Sequence, residues 1–198
     1  MIEFDEENHT YIKDGIILKS VTQLLKELFP SKYDGIPKEI LNNKAIYGTE
    51  LHKYIEILEN KKPKKPLRYI KRYYKPSIYQ EESIRQYLDI KEKYNIEVLE
   101  SEKIVSYKYL YAGTLDIKAI VNGKKAIIDI KTTSELDEDY VSWQTSLYEY
   151  ADENVDELYC LWLPKGHLGR LIKLNRVSKE MIEVLIKWQK MICIYMKN

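Results

Sequence analysis

Asn122-Gly123 constrains what this chain can fold into more than any other pair of residues. A type I′ turn needs positive φ at both central positions, and Asn-Gly supplies it at low cost. Alternating segments flank the pair, so a two-residue hairpin is expected, with Val121 opposite Lys124, Ala119 opposite Ala126 and Ile117 opposite Ile128. One face then carries Leu115, Ile117, Ala119 and Val121 with Ala126, Ile128 and Ile130, which is a core face. The other carries Thr114, Asp116, Lys118 and Ile120 with Lys125, Ile127, Asp129 and Lys131. In this register Asp116 faces Asp129. Their Cβ atoms would lie about 5 Å apart, where like charges destabilise a sheet. Solvent, protonation or a divalent cation could relieve the clash, and two carboxylates so placed suit Mg²⁺ or Mn²⁺. Lys131 projects from the same face as Asp129, where its ammonium could orient or help deprotonate a water, or stabilise charge on a phosphate.

Around this hairpin the periodicities place an opening hairpin over 2–18, turning at Asp14-Gly15, and a short helix from Ser20 to about Phe29. Helical spacing runs from about Pro37 to Glu59, with Gly48 as a break, and again over 77–94 from Ser77. Extended segments follow at about 97–107, 110–121, 125–132, 157–163 and 169–174. A helix at about 139–152 lies between the third and fourth, and a last helix is capped by Ser178. The expected class is α/β (α+β): a central mixed sheet flanked by helices, with the hairpin inside it. One domain over 1–198 is expected, with a hairpin–helix extension over about 1–35.

Composition narrows the chemistry. Two cysteines cannot supply an iron–sulfur cluster or a four-thiolate zinc site, and three histidines cannot build a multi-His centre. A metal, if used, must be held mainly by carboxylates. No apolar run approaches the roughly 18 residues of a membrane helix, and the N-terminus is acidic rather than signal-like. A soluble cytoplasmic protein without a membrane partner is expected.

The near-neutral charge of +1 hides an asymmetry. Between Lys61 and Lys75 stand eight bases and no acid (Lys61, Lys62, Lys64, Lys65, Arg68, Lys71, Arg72 and Lys75). Interleaved tyrosines and bracketing prolines suggest an exposed loop that meets phosphates and stacks on bases. The acid run from Glu135 to Glu157 reads as the solvated face of a helix. Gly48 and His52, and likewise Gln144 and Tyr148, are four apart and share helix faces, so each pair can serve one site.

The order Gly48-x-x-x-His52, Gly113-x-x-Asp116, Asp129-x-Lys131, Gln144-x-x-x-Tyr148 resembles the PD-(D/E)xK nucleases, in the branch of RecB-type and phage lambda-type exonucleases. The match runs from about residue 45 to 151, and the opening hairpin followed by Ser20-Val21-Thr22 also resembles phage members. The resemblance implies a restriction-endonuclease-like fold. It further implies that Asp116 and Asp129 bind Mg²⁺ or Mn²⁺ with the backbone carbonyl of Ile130, and that His52 lies at or near the metal. Lys131 would act on the attacking water, and Gln144 and Tyr148 would position Lys131 or the DNA strand. Glu102 resembles an acid often found on the preceding strand. The four-cysteine members of the family are excluded by composition.

The expected activity is metal-dependent hydrolysis of DNA, as an exonuclease processing ends in phage recombination, repair or replication. Lys61, Lys62, Lys64, Lys65, Arg68, Lys71 and Arg72 would grip the backbone. A structure-specific endonuclease on the same fold and a non-catalytic DNA-binding accessory protein are the alternatives. The family further suggests a strand-annealing recombination protein as partner and admits a homo-oligomer.

Overall fold

Apolar alternation and tight turns build one mixed sheet of eight strands, sandwiched between two sets of helices. The computed structural model describes residues 2–5, 8, 10–30, 35–152 and 154–195. Strands β1 (Ile2–Asp5), β2 (Thr10–Lys13) and β3 (Ile16–Ser20) form an antiparallel meander, one strand more than the expected hairpin. Asp14 and Gly15 turn β2 into β3 with φ of 50° and 79°. Ser20 caps helix α1 (Val21–Leu25): its hydroxyl accepts from the Gln23 amide while the Gln23 side chain accepts from the Ser20 N–H. Residues 31–34, within the expected N-terminal extension, lie outside the described residues.

Helices α2 (Lys38–Lys61), α3 (Pro66–Tyr74) and α4 (Ile78–Lys93) follow, then β4 (Glu97–Tyr107), β5 (Tyr111–Val121) and β6 (Lys124–Lys131). Helix α5 (Glu138–Asp152) leads to β7 (Glu157–Trp162) and β8 (Arg170–Lys173), and helix α6 (Lys179–Tyr195) comes last. The sheet order is β1-β2-β3-β5-β6-β7-β8, with β4 on the opposite edge of β5. The β3–β5 and β6–β7 pairings are parallel and the others antiparallel.

The turn sets the register as its chemistry requires. Ile117 pairs with Ile128, Ala119 with Ala126 and Val121 with Lys124, around Asn122 and Gly123 at φ 46° and 83°. Ile117, Ala119, Ile128 and Ile130 face a core made with Leu51, Ile55, Ile70, Ile84 and Tyr87 from α2, α3 and α4. Leu115, Ile127, Leu158 and Cys160 face a second core with α1, α5 and α6. Leu115 was expected beside Ile117. It lies instead on the opposite side of the sheet, because the alternation breaks at Asp116.

Three other expectations change. Helix α2 runs unbroken through Gly48, where a Cβ would stand 2.9 Å from Thr132 Oγ1; the glycine admits the end of β6 rather than ending the helix. Residues 66–74 of the basic stretch form α3 rather than a loop. Pro66 occupies its first turn, where a missing N–H costs nothing, and Ile70 is fully buried. Three acids of the run from Glu135 to Glu157 are held in ion pairs: Glu149 with Arg176, Asp152 with Lys103 and Lys118, Glu157 with Lys124 and Lys173. Among the described residues no helix is long and apolar enough to cross a membrane.

Candidate metal and catalytic site

Asp116 stands where β5 changes neighbours. On one edge β5 pairs with β3 only at Tyr111 and Ala112, and with β6 only from Ile117 onward. Residues 113–116 of that edge lie between the two ladders. On the other edge β4 slips register between Val98 and Glu100, and the Glu102–Asp116 pair is missing from the ladder. Glu102 has φ 50°, a left-handed conformation that costs a non-glycine residue roughly 1–3 kcal/mol and persists only where its surroundings enforce it. This break turns Asp116 toward α2.

The two oxygens of Asp116 are used separately. Oδ2 accepts from the backbone N–H of Ile130 at 2.6 Å, standing in for a main-chain acceptor. Oδ1 lies 3.5 Å from Nδ1 of His52, which α2 presents from its middle. His52, Glu102 and Asp116 each offer one donor atom, and these atoms all fall within 4.8 Å of one another. Ile130 thus enters the site through its N–H, while its side chain belongs to the first core.

Asp129, on β6, is 2% exposed. Its Oδ2 sits 2.7 Å from Lys131 Nζ as an ion pair, yet finds no hydrogen-bond partner. Lys131 Nζ donates to Oε1 of Gln144 at 3.0 Å, and Gln144 Nε2 donates to the Tyr148 hydroxyl at 2.9 Å. Helix α5 supplies both because the four-residue spacing puts them on one face. The Tyr148 ring lies on Gly113, where a Cβ would come within 2.6 Å of it. The glycine is therefore a close-approach position for the chain that holds Lys131.

Charge is crowded here. Burial works against ionising Asp116, but His52, Lys131 and the Ile130 amide hold its pKa below the usual carboxylate value. Burial, and then the Asp116 charge, push Asp129 up to about 6 despite Lys131 beside it. Desolvation and the same Asp116 charge push Glu102 up to about 7, although its side chain keeps an open side to solvent. Burial opposes charge on His52, yet Asp116 raises its pKa. Burial likewise opposes charge on Lys131, and Asp129 and Asp116 overcome it to keep the ammonium protonated. The donor set, the crowding and the buried Asp129 carboxylate beside it fit a hard divalent cation, which prefers oxygen ligands and relieves carboxylate repulsion.

The candidate residues thus form two adjoining groups: His52, Glu102 and Asp116 on one side, Asp129, Lys131, Gln144 and Tyr148 on the other. Lys61, Lys62, Lys64 and Lys65 are exposed at the end of α2 and in the link to α3, and Arg68, Lys71 and Arg72 are exposed on α3. Lys71 pairs with Glu81 at 2.8 Å. One residue near the site escaped the sequence reading. Tyr11 of β2 shares a 2.9 Å hydrogen bond with Thr114, and burial followed by the charges of Glu102 and Asp116 raises its pKa. Alternation in the opening hairpin marks Tyr11 as inward-facing, but nothing local ties it to β5. Cys160, paired with Asp129 across the β6–β7 ladder, is fully buried with its thiol pushed up by burial, so this residue is held as a neutral thiol.

Neither protein-family models nor curated proteins give a match to this chain. Among solved structures it is similar to "Crystal structure of SSO0001", at 18% identity and a TM-score of 0.39, over 87% of this chain and 84% of that one. A likeness that weak carries no argument about either fold or activity.

Proposed function

We propose that this chain is a divalent-metal-dependent nuclease that hydrolyses phosphodiester bonds in DNA, acting as an exonuclease of the PD-(D/E)xK kind in the cytoplasm of a cell or phage host. The observation that carries the reading is the break at Asp116, which gathers His52, Glu102 and Asp116 beside an Asp129–Lys131 pair braced by Gln144 and Tyr148.

Asp116, Glu102 and His52 would hold Mg²⁺ or Mn²⁺, with Asp129 alongside as a further carboxylate. Bound there, such an ion would polarise the scissile phosphate and lower the pKa of a water molecule. Lys131 contributes a fixed positive charge. Its role would be to stabilise negative charge developing on the phosphate and to orient a water. Gln144 holds that ammonium by accepting from it, and Tyr148, kept neutral by burial, holds Gln144.

The test uses end-labelled linear DNA and closed circular DNA, each in Mg²⁺ and in EDTA. Mg²⁺-dependent loss of the linear form alone is the expected result, and the fate of the label gives polarity. Cutting of the circle would replace the exonuclease by an endonuclease. Binding without cleavage of either would overturn the enzyme reading in favour of an accessory protein.

A further inference from the structure

Helix α3 carries more than charge. Its inner face is anchored by the fully buried Ile70, so its outer face is held in one orientation. Toward its C-terminal end Tyr73 is 59% exposed and Tyr74 40% exposed. The Arg72 guanidinium lies over the Tyr73 ring, 5.5 Å from its centroid, and Tyr69 braces that ring from 4.8 Å. Tyr74 leans on Tyr54 at 6.0 Å, and Tyr54 stands two residues along α2 from His52. One helix therefore carries both the support of α3 and a residue of the candidate site. Leu67, Arg68, Lys71 and Arg72 line an open groove on α3, and no acid interrupts the chain from Lys61 to Lys75.

We infer that α3 is a platform for single-stranded DNA, on which bases stack against Tyr73 and Tyr74 while Arg68, Arg72 and the neighbouring lysines follow the phosphates. Basic residues alone would serve a duplex equally well, because phosphate contacts are indifferent to strandedness. Exposed rings decide the matter. The bases of a duplex are stacked on one another and offer no free face, whereas every unpaired base has a π-face that an exposed aromatic can cover. The Arg72 guanidinium over the Tyr73 ring braces it by a cation–π contact and brings positive charge to the stacking position. The inference rests on the nuclease reading for its purpose, since it assigns that site a frayed or single-stranded end, but the binding it describes does not need catalysis.

Fluorescence anisotropy in EDTA, with one labelled oligonucleotide presented alone and as a blunt duplex, tests the binding without cleavage. The single strand binds on the order of tenfold more tightly than the duplex. Tyr73→Ala lowers single-strand affinity by roughly tenfold and leaves the duplex unchanged, while Tyr73→Phe retains wild-type affinity. Arg68→Gln with Arg72→Gln flattens the log–log salt dependence by roughly 1.4 on the single strand. Equal affinity for both forms, or wild-type binding by a Tyr73→Ala protein with an unchanged circular-dichroism spectrum, overturns the platform. Absence of Mg²⁺-dependent cleavage with single-strand preference intact overturns the nuclease reading alone.

Discussion

The two ends of the β5–β6 hairpin obey different rules. Near the turn, Ile117–Val121 and Lys124–Ile128 pair in an unbroken ladder, and their inward side chains fill a core. Beyond Ile117 the ladder stops, Leu115 has crossed to the other core, and buried or half-buried carboxylates replace methyl groups. The first end is what burial and turn geometry favour. At the second end a left-handed Glu102, a buried Asp129 carboxylate and several acids close together all oppose stability. Disfavoured groups gathered in one place, on an otherwise regular scaffold, are what the proposed site would require.

The contrast can be broken most sharply by Asp116→Asn. Cleavage of end-labelled DNA in Mg²⁺ should fall on the order of a thousandfold, while the circular-dichroism spectrum is unchanged. A rate near wild type would remove Asp116 from the chemistry. At the regular end, Ile128→Ala should cost about 2–5 kcal/mol in urea unfolding, because a fully enclosed side chain leaves a cavity. A loss below about 1 kcal/mol would mean the first core can close over the gap.

An intermediate effect tests the crowding itself. Asp129 has its pKa raised from 3.8 to about 6, so its neutral form is favoured in the folded chain. The stability this contributes is complete below 3.8 and is lost as pH rises through about 6, and Glu102, raised from 4.5 to about 7, acts with the same sign. In EDTA the urea midpoint should therefore fall between about pH 4 and pH 7, with Asp129 accounting for on the order of 2 kcal/mol. Asp129→Asn should flatten that slope, and a midpoint independent of pH would deny the crowding. Gly113→Ala sharpens the comparison from another side. Its methyl group would strike the Tyr148 ring, costing about 1–3 kcal/mol and slowing cleavage through the displaced Gln144–Lys131 chain. Smallest of all should be Lys124→Ala beside the turn. Its exposed pair with Glu157 contributes less than about 1 kcal/mol, and Lys173 remains to hold that carboxylate.

The regular end was legible because its determinants are local. Asn122-Gly123 dictates positive φ, and a period of two carries the register outward from there. Capping at Ser20, Ser77 and Ser178 was readable for the same reason. The irregular end was legible only as a set of residues. His52, Asp116, Asp129, Lys131, Gln144 and Tyr148 could be named, but not the break that regroups them, since Glu102 has none of glycine's tolerance for positive φ and gives no warning. Gly48 misled because a close approach by Thr132, distant in sequence, outweighs helix propensity. The basic stretch misled because its charges and prolines overshadowed Leu67 and Ile70, three apart and facing inward behind Pro66.

Asp116 assigns one oxygen to the backbone of Ile130 and leaves the other for the site. An amide can keep the first task and fail the second. In the proposed nuclease, an Asp116→Asn chain would thus escape the proteases that clear unstable proteins, persist at normal abundance and still occupy the DNA that the proposal assigns to it. Produced beside the intact chain, it would act as a competitor, so that a single substitution turns the protein into an inhibitor of its own reaction.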